Sequence, residues 1–261
     1  MPPIVTLTTD FGLRDPFVGV MKGVILTICP EARLVDLTHE IAPHDVLGAQ
    51  LALEASAPFF PAGTVHLAVV DPGVGSARRA LGVQAGTQCF VGPDNGLLSF
   101  ALRAPGWTAV ALTEEAYRLM PVSRTFHGRD VFAPAAAHLA RGTSLDRLGP
   151  AVLDPARLEI PTARLEGSAL VGEVIAEDRF GNLITSLTAE GLAGLAGSGT
   201  VEIEVGAWRI GPLRSSYAEG EPGMPAPIVG SRGRLEVFVR EGSALEVLQA
   251  RRGTPVRAKA S

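Results

Sequence analysis

Two kinds of apolar pattern alternate over the first 150 residues. Short β-branched runs stand between stretches where apolar residues recur every three or four positions, the order of a largely parallel sheet covered by helices. Residues Ile4–Thr9 predict a first strand. Asp15-Pro16 then supplies a helix start, a cap residue followed by proline, and Val18, Met21, Val24, Ile25 and Ile28 carry the helical stripe until Pro30 stops it. A second strand is expected at 34–37, a helix at 45–55, a third strand at 64–70 and a helix over 131–139. The first and third strands run straight onto aspartates, Asp10 and Asp71. Ligands of open α/β sheets bind beyond the carboxyl ends of the strands, so this placement singles out both carboxylates.

Past a stretch at 153–166 that holds Pro155 and Pro161, the period changes. Residues 170–176, 200–205 and 234–239 alternate in period two between Gly- and Pro-rich turns, which predicts a small β-barrel or sandwich. The fold class expected is therefore α/β: an N-terminal α/β domain at 1–155, a smaller C-terminal β-barrel domain at 166–250, and a basic, poorly patterned tail at 251–261 expected to be disordered. Composition narrows the partners. A formal net charge of -4 gives no basic footprint for nucleic acid. No stretch of about 18 residues is free of charge or strong polarity, and the N-terminal residues lack the basic and apolar regions of a secretory signal, so a cytoplasmic protein with no membrane contact is expected. Cys29 and Cys89 sit in apolar runs and are expected to act as small hydrophobes rather than a disulfide or zinc site.

Several polar clusters could carry chemistry. The run Thr8-Thr9-Asp10-Phe11-Gly12 contains the tripeptide that holds magnesium in protein kinases, but no Gly-rich loop or lysine strand precedes it. Asp10 could cap the following helix or accept the two hydroxyls of a ribose. Residues 71–79, Asp-Pro-Gly-Val-Gly-Ser-Ala-Arg-Arg, lack the spacing and Lys-Ser/Thr end of a phosphate loop, and a carboxylate at the entrance would repel phosphate. Asp71 and Arg78 could instead form a structural ion pair or converge on a small polar species such as water. His127, in Thr125-Phe126-His127-Gly128-Arg129-Asp130, lies at an element terminus, where Gly128 leaves it accessible and its pKa suits proton handling. Gly92-Pro93-Asp94-Asn95-Gly96 has the composition of a turn. In the second half, Asp178-Arg179-Phe180-Gly181-Asn182 offers an aromatic face beside an amide. There too, Ser231-Arg232-Gly233-Arg234-Leu235-Glu236 turns into a strand.

In this order and spacing, these segments resemble the S-adenosyl-L-methionine hydroxide adenosyltransferase family, hydrolase relatives of the fluorinating and chlorinating enzymes. The likeness spans nearly the whole chain. It implies an α/β domain followed by a β-barrel, and a homotrimer with active sites between one subunit's first domain and a neighbour's second. The implied catalytic set is Asp71, Arg78 and His127; halogenating relatives carry other residues at the Asp and His positions and an extra loop. Ribose binding maps to Asp10, with Asp15 and Phe17 close to substrate. Adenine and methionine contacts map to Phe180, Asn182, Ser231 and Arg232, and also to Asp178 and Glu236. The spacing from Asp178 to Phe180 is one residue shorter than in the halogenase pattern. The implied reaction is hydrolysis of S-adenosyl-L-methionine to adenosine and L-methionine at the ribose C5′, with no metal or cofactor. Halide transfer to the same carbon and a non-catalytic S-adenosylmethionine or adenosine sensor are the rival readings.

Overall fold

A computed structural model describes residues 2–196 and 200–260. The chain divides into two compact units, on either side of Glu159 and Ile160. In the first unit the elements are β1 (Ile4–Thr9), α1 (Phe17–Ile28), β2 (Arg33–Thr38), α2 (Val46–Ser56), β3 (Val65–Val69), β4 (Ala80–Ala85), β5 (Gln88–Pro93), β6 (Thr108–Ala111) and α3 (Ala133–Ala140). The strands form one sheet in the order β2-β1-β3-β5-β4-β6. The β1–β2, β1–β3 and β3–β5 pairs are parallel, and β4 is antiparallel to both β5 and β6, so β4 alone is reversed and the sheet is largely parallel.

Each face of this sheet has its own core, because successive strand residues point to opposite sides. Along β3, Val65, Leu67 and Val69 pack with Met21 and Ile25 of α1 and with Ala133 and Ala136 of α3. Ala68 and Val70 face the other way, onto Ala49 and Leu53 of α2 and onto Phe90. Cys29 is buried in the first of these cores and both cysteines are free thiols, in keeping with the hydrophobe reading. Two local expectations shift. Helix α1 starts at Phe17 with Pro16 at its cap position and no side-chain cap, so Asp15 does not cap it, whereas Asp45 caps α2 by accepting from the Gly48 amide. The helix expected over 131–139 is entered through a π-helical turn, Gly128–Phe132, ahead of α3.

The second unit holds β7 (Arg164–Glu166), β8 (Ala169–Glu177), β9 (Leu183–Thr188), α4 (Ala189–Ala196), β10 (Val201–Val205), β11 (Trp208–Ile210), β12 (Pro225–Val229), β13 (Arg234–Val239), α5 (Ala244–Leu248) and β14 (Pro255–Ala260). Its antiparallel strands, in the order β11-β10-β14-β8-β9-β13-β12 with β7 on β8, curl into a nearly closed barrel. Strand β14 corrects the disordered-tail expectation. It sits between β10 and β8 with Val256 and Ala258 in the core, its basic residues alternating outward and masking the period-two pattern.

Candidate active site

The first unit's polar cluster follows from strand order. Helix α1 leads from β1 to β2 on one side of β1 and α2 leads back past β1 to β3, so the connections part between β1 and β3, which pair in parallel up to Thr9 opposite Val69. This is the switch point where an open α/β sheet leaves a crevice, and Asp10 and Asp71 stand at its rim. Together with Phe17, His44, Phe126 and His127 they line a cavity of about 340 Å³.

The loop after β3 returns Arg78 onto Asp71. The Val74 amide donates to the Asp71 carbonyl at 3.2 Å, and the Ser76 amide and hydroxyl donate to the Gly73 carbonyl. Gly75 has φ +76°, and a Cβ there would lie 2.4 Å from the Arg124 carbonyl oxygen, so the loop lies against the segment leading to His127 only because no side chain intervenes. The Pro93-Asp94-Asn95 turn braces the same loop. Asn95 donates from Nδ2 to the Val70 carbonyl at 2.9 Å, and Asp94 accepts from Arg79 Nε at 2.6 Å.

Asp71 and Arg78 make a two-point contact, Nε to Oδ1 at 2.9 Å and Nη2 to Oδ2, with side chains only 5% and 10% exposed. The same Nη2 lies 2.8 Å from His127 Nδ1. A guanidinium has only donors, so Nδ1 must be the acceptor and the neutral His127 ring carries its proton on Nε2. Burial lowers the His127 pKa, Arg78 lowers it further, and Asp71 opposes them. The Arg78 guanidinium also lies over the Phe132 ring, 5.2 Å from its centre. Gly128 plays a part different from the one expected: it is buried, and a Cβ there would meet Met21 Sδ at 3.0 Å and the Phe126 ring at 3.1 Å. It lets the π-helical turn close-pack rather than leaving His127 open.

Asp10 accepts from the His44 amide at 2.8 Å. His44 holds φ +68°, an unusual conformation for a residue with a side chain. Sequence reasoning missed it; Pro43 before it and Asp45 after it were the available turn signals. Behind Asp10, Thr9 bonds His39 Nδ1 at 2.8 Å, His39 Nε2 is 3.0 Å from Asp36, and Lys22 donates to Asp36. Phe11, Phe17 and Phe126 form an edge-to-face trio on the cavity wall, with centroids 5.2–6.2 Å apart. Asp15 is exposed before α1 and does not line the cavity.

The barrel unit assembles the remaining candidates. The Asp178 carboxylate accepts from the Phe180 and Asn182 amides and from Asn182 Nδ2, each at 2.9 Å, so it ties the turn together. Phe180 is left 76% exposed on that turn, and Asn182 is buried. Ser231 and Arg232 are exposed on the turn between β12 and β13, and Glu236 is buried on β13. Tyr217, which nothing in the sequence singles out, joins one of these groups: its hydroxyl donates to Glu236 Oε2 at 3.1 Å. Burial first, then the Glu236 charge, pushes its pKa up to about 12, with Asp178 adding to the rise and Arg232 opposing it.

The two halves also match known families. The SAM hydroxide adenosyltransferase N-terminal domain matches residues 5–149 and the corresponding C-terminal domain residues 172–257. A Thermus thermophilus protein named (R)-S-adenosyl-L-methionine hydrolase is 44% identical over 98% of this chain and 99% of its own length. A Salinispora tropica protein of the same name is 41% identical over 99% and 98%. A fluorinase of Actinopolyspora mzabensis is more distant, 29% identical over 98% and 96%. The crystal structure of an uncharacterized conserved protein from Thermotoga maritima matches with a TM-score of 0.90 at 34% identity, covering 98% of this chain and 99% of that one.

Proposed function

Because the chain belongs to the SAM hydroxide adenosyltransferase family, we propose that it hydrolyses S-adenosyl-L-methionine to adenosine and L-methionine by attack of water on the ribose C5′. One observation carries the reading: Asp71, Arg78 and His127 form a hydrogen-bonded set at the crevice beside Asp10. The sulfonium leaves as a neutral thioether, so the chemistry asks for an aligned nucleophile and no general acid. Water must be held about 3–3.5 Å from the carbon, on the side away from sulfur. Asp71, with lone pairs beyond those engaged by Arg78, accepts the water's proton, a role typically contributing about 10²–10⁴-fold. His127 cannot take that proton at Nδ1, which is occupied by Arg78; it donates from Nε2 and orients the water. Asp10 holds the ribose hydroxyls, and Phe17 closes the wall beside them. In the barrel unit, Phe180, Asn182, Ser231, Arg232 and Glu236 meet the adenine and methionine ends. Asp178 acts by holding their turn.

The carboxylate of Asp71 disfavours the halide alternative, since it repels an anion at the attacking position. The Asp71–Arg78–His127 set likewise gives a pure sensor no use for an aligned water. This mechanism needs no metal or cofactor. A homotrimer whose sites combine neighbouring subunits fits the family likeness and the exposed Phe180. No helix among the described residues is long and apolar enough to cross a membrane, and a cytoplasmic location without nucleic-acid partners suits an intracellular substrate and a net charge of -4. Incubating purified protein with S-adenosyl-L-methionine should yield adenosine and methionine one to one, independent of halide. A 5′-halogenated nucleoside, or tight binding with no product, would sink this reading.

A further inference from the structure

A relay of polar side chains behind Asp10 has no role in that scheme. The His39 side chain is 3% exposed and Thr9 is fully buried, and a buried imidazole or hydroxyl costs free energy unless it is bonded. Residues three apart on a regular strand point to opposite faces. Here the β1–β2 register slips by one residue, with Leu7 opposite Asp36 and Thr8 opposite Thr38. The extra residue sets Asp36 and His39 on one side, and His39 Nε2 faces Asp36 Oδ1 at 3.0 Å, a charge contact rather than an aligned hydrogen bond. Burial alone would raise the Asp36 pKa, but Lys22 and His39 outweigh it and hold the carboxyl below its ordinary value. A neutral ring facing that anion keeps its proton on Nε2, so Nδ1 accepts from the Thr9 hydroxyl at 2.8 Å. Thr9 Oγ1 in turn accepts from the Phe11 amide at 3.2 Å, and the His39 carbonyl accepts from the Gly12 amide at 2.8 Å.

We propose that His39 is a positioning residue for ribose recognition: backed by Asp36, it locks the turn at 9–12 so that the Asp10 carboxylate presents a fixed oxygen to the ribose hydroxyls. The proposal rests on the reading of Asp10 as the ribose ligand. Three bonds tie this turn to the connection between β2 and α2. Thr9 and Gly12 bond His39, and Asp10 Oδ2 accepts from the His44 amide at 2.8 Å. Asp10 is thereby held twice, its chain neighbours by His39 and its carboxylate by His44, which leaves Oδ1 for substrate. One carboxylate meets two hydroxyls on adjacent ribose carbons only at a set angle, so a turn free to rock weakens both contacts. His39 is not among the residues lining the 340 Å³ cavity, so it acts through the turn and not on substrate. An apolar side chain at position 39 would fill the same space but leave the buried Thr9 hydroxyl without its acceptor.

The test measures binding of adenosine and of 2′,3′-dideoxyadenosine, which has no hydroxyl for Asp10, by ligand-observed NMR, a method that reaches millimolar affinities. It compares the full chain as wild type, H39F, H39N and T9V, beside turnover of S-adenosyl-L-methionine. H39F and T9V should weaken adenosine about tenfold or more while changing the dideoxy nucleoside less than about twofold. Their kcat/KM should fall in step with adenosine affinity, mostly through KM. H39N, whose amide oxygen takes the place of Nδ1 as acceptor, should stay within about threefold of wild type. Equal losses for the two nucleosides, or H39F binding adenosine like wild type, overturn the inference. If H39F does not fold, T9V decides alone. A wild type that holds both nucleosides alike overturns the ribose reading of Asp10, and the inference falls with it. Selective loss of adenosine binding in a protein that releases no adenosine from S-adenosyl-L-methionine upholds the action of His39 on Asp10 and overturns the hydrolase reading instead.

Discussion

Arg78 Nη2 stands 2.8 Å from His127 Nδ1 while the same guanidinium grips both oxygens of Asp71. This fixes the protonation state that works. On the proposed mechanism turnover requires His127 to be neutral, and its pKa is held below 6.5 by burial and by Arg78. The protonated fraction grows as pH falls, so kcat should be level near neutrality and fall about tenfold per unit on an acid limb below that value. H127A should lower kcat by about 10²–10³-fold. Steady-state kinetics across pH check both.

The two-point grip also makes charge alone insufficient at position 78. Lysine presents a single ammonium and cannot span Asp71 and reach His127 with fixed geometry. R78K should therefore lower kcat by at least about tenfold while KM changes little, since Arg78 meets its protein partners rather than substrate. A kcat near wild type would place the guanidinium outside the mechanism.

Gly75 tests the loop rather than the chemistry. Alanine there meets both the φ of +76° and the Arg124 carbonyl. G75A should lose about 1–3 kcal/mol of stability in urea unfolding and should lower kcat by moving Arg78. Wild-type stability and activity together would show that the loop does not need the close approach.

His66 gives a pH dependence of stability. It is fully buried on β3, stacked on Phe90 and 2.8 Å from the Thr6 hydroxyl, and burial lowers its pKa from 6.5 to about 4. The folded ring stays neutral where the unfolded one binds a proton, so the unfolded state gains protons as pH falls from 6.5 toward 4. Stability should then drop by up to about 1.4 kcal/mol per unit in that window and level off below it. Urea titrations at several pH values should show this slope, and H66F should flatten it.

Strands, helices and the two aspartates at strand ends were legible because apolar period and chain punctuation are local. Asp71 to Arg78 was legible as a pair because the loop between them is short, and the triad as a set through the family likeness. The rest depended on contacts between distant residues. Nothing local marks Tyr217 as the partner of Glu236 or His44 as the amide donor to Asp10. Strand β14 escaped because its outward residues are basic, and Gly128 was misjudged because its neighbour Met21 lies on α1.

On the proposed mechanism Asp71 and His127 aim water at the ribose C5′. Turnover in isotopically labelled water, followed by mass spectrometry of the adenosine, tests it most directly, with D71N alongside. The label should appear once per adenosine, at the 5′ oxygen, and D71N should form product about 10²–10⁴-fold more slowly. Adenosine without label, or D71N turning over like wild type, would contradict the account.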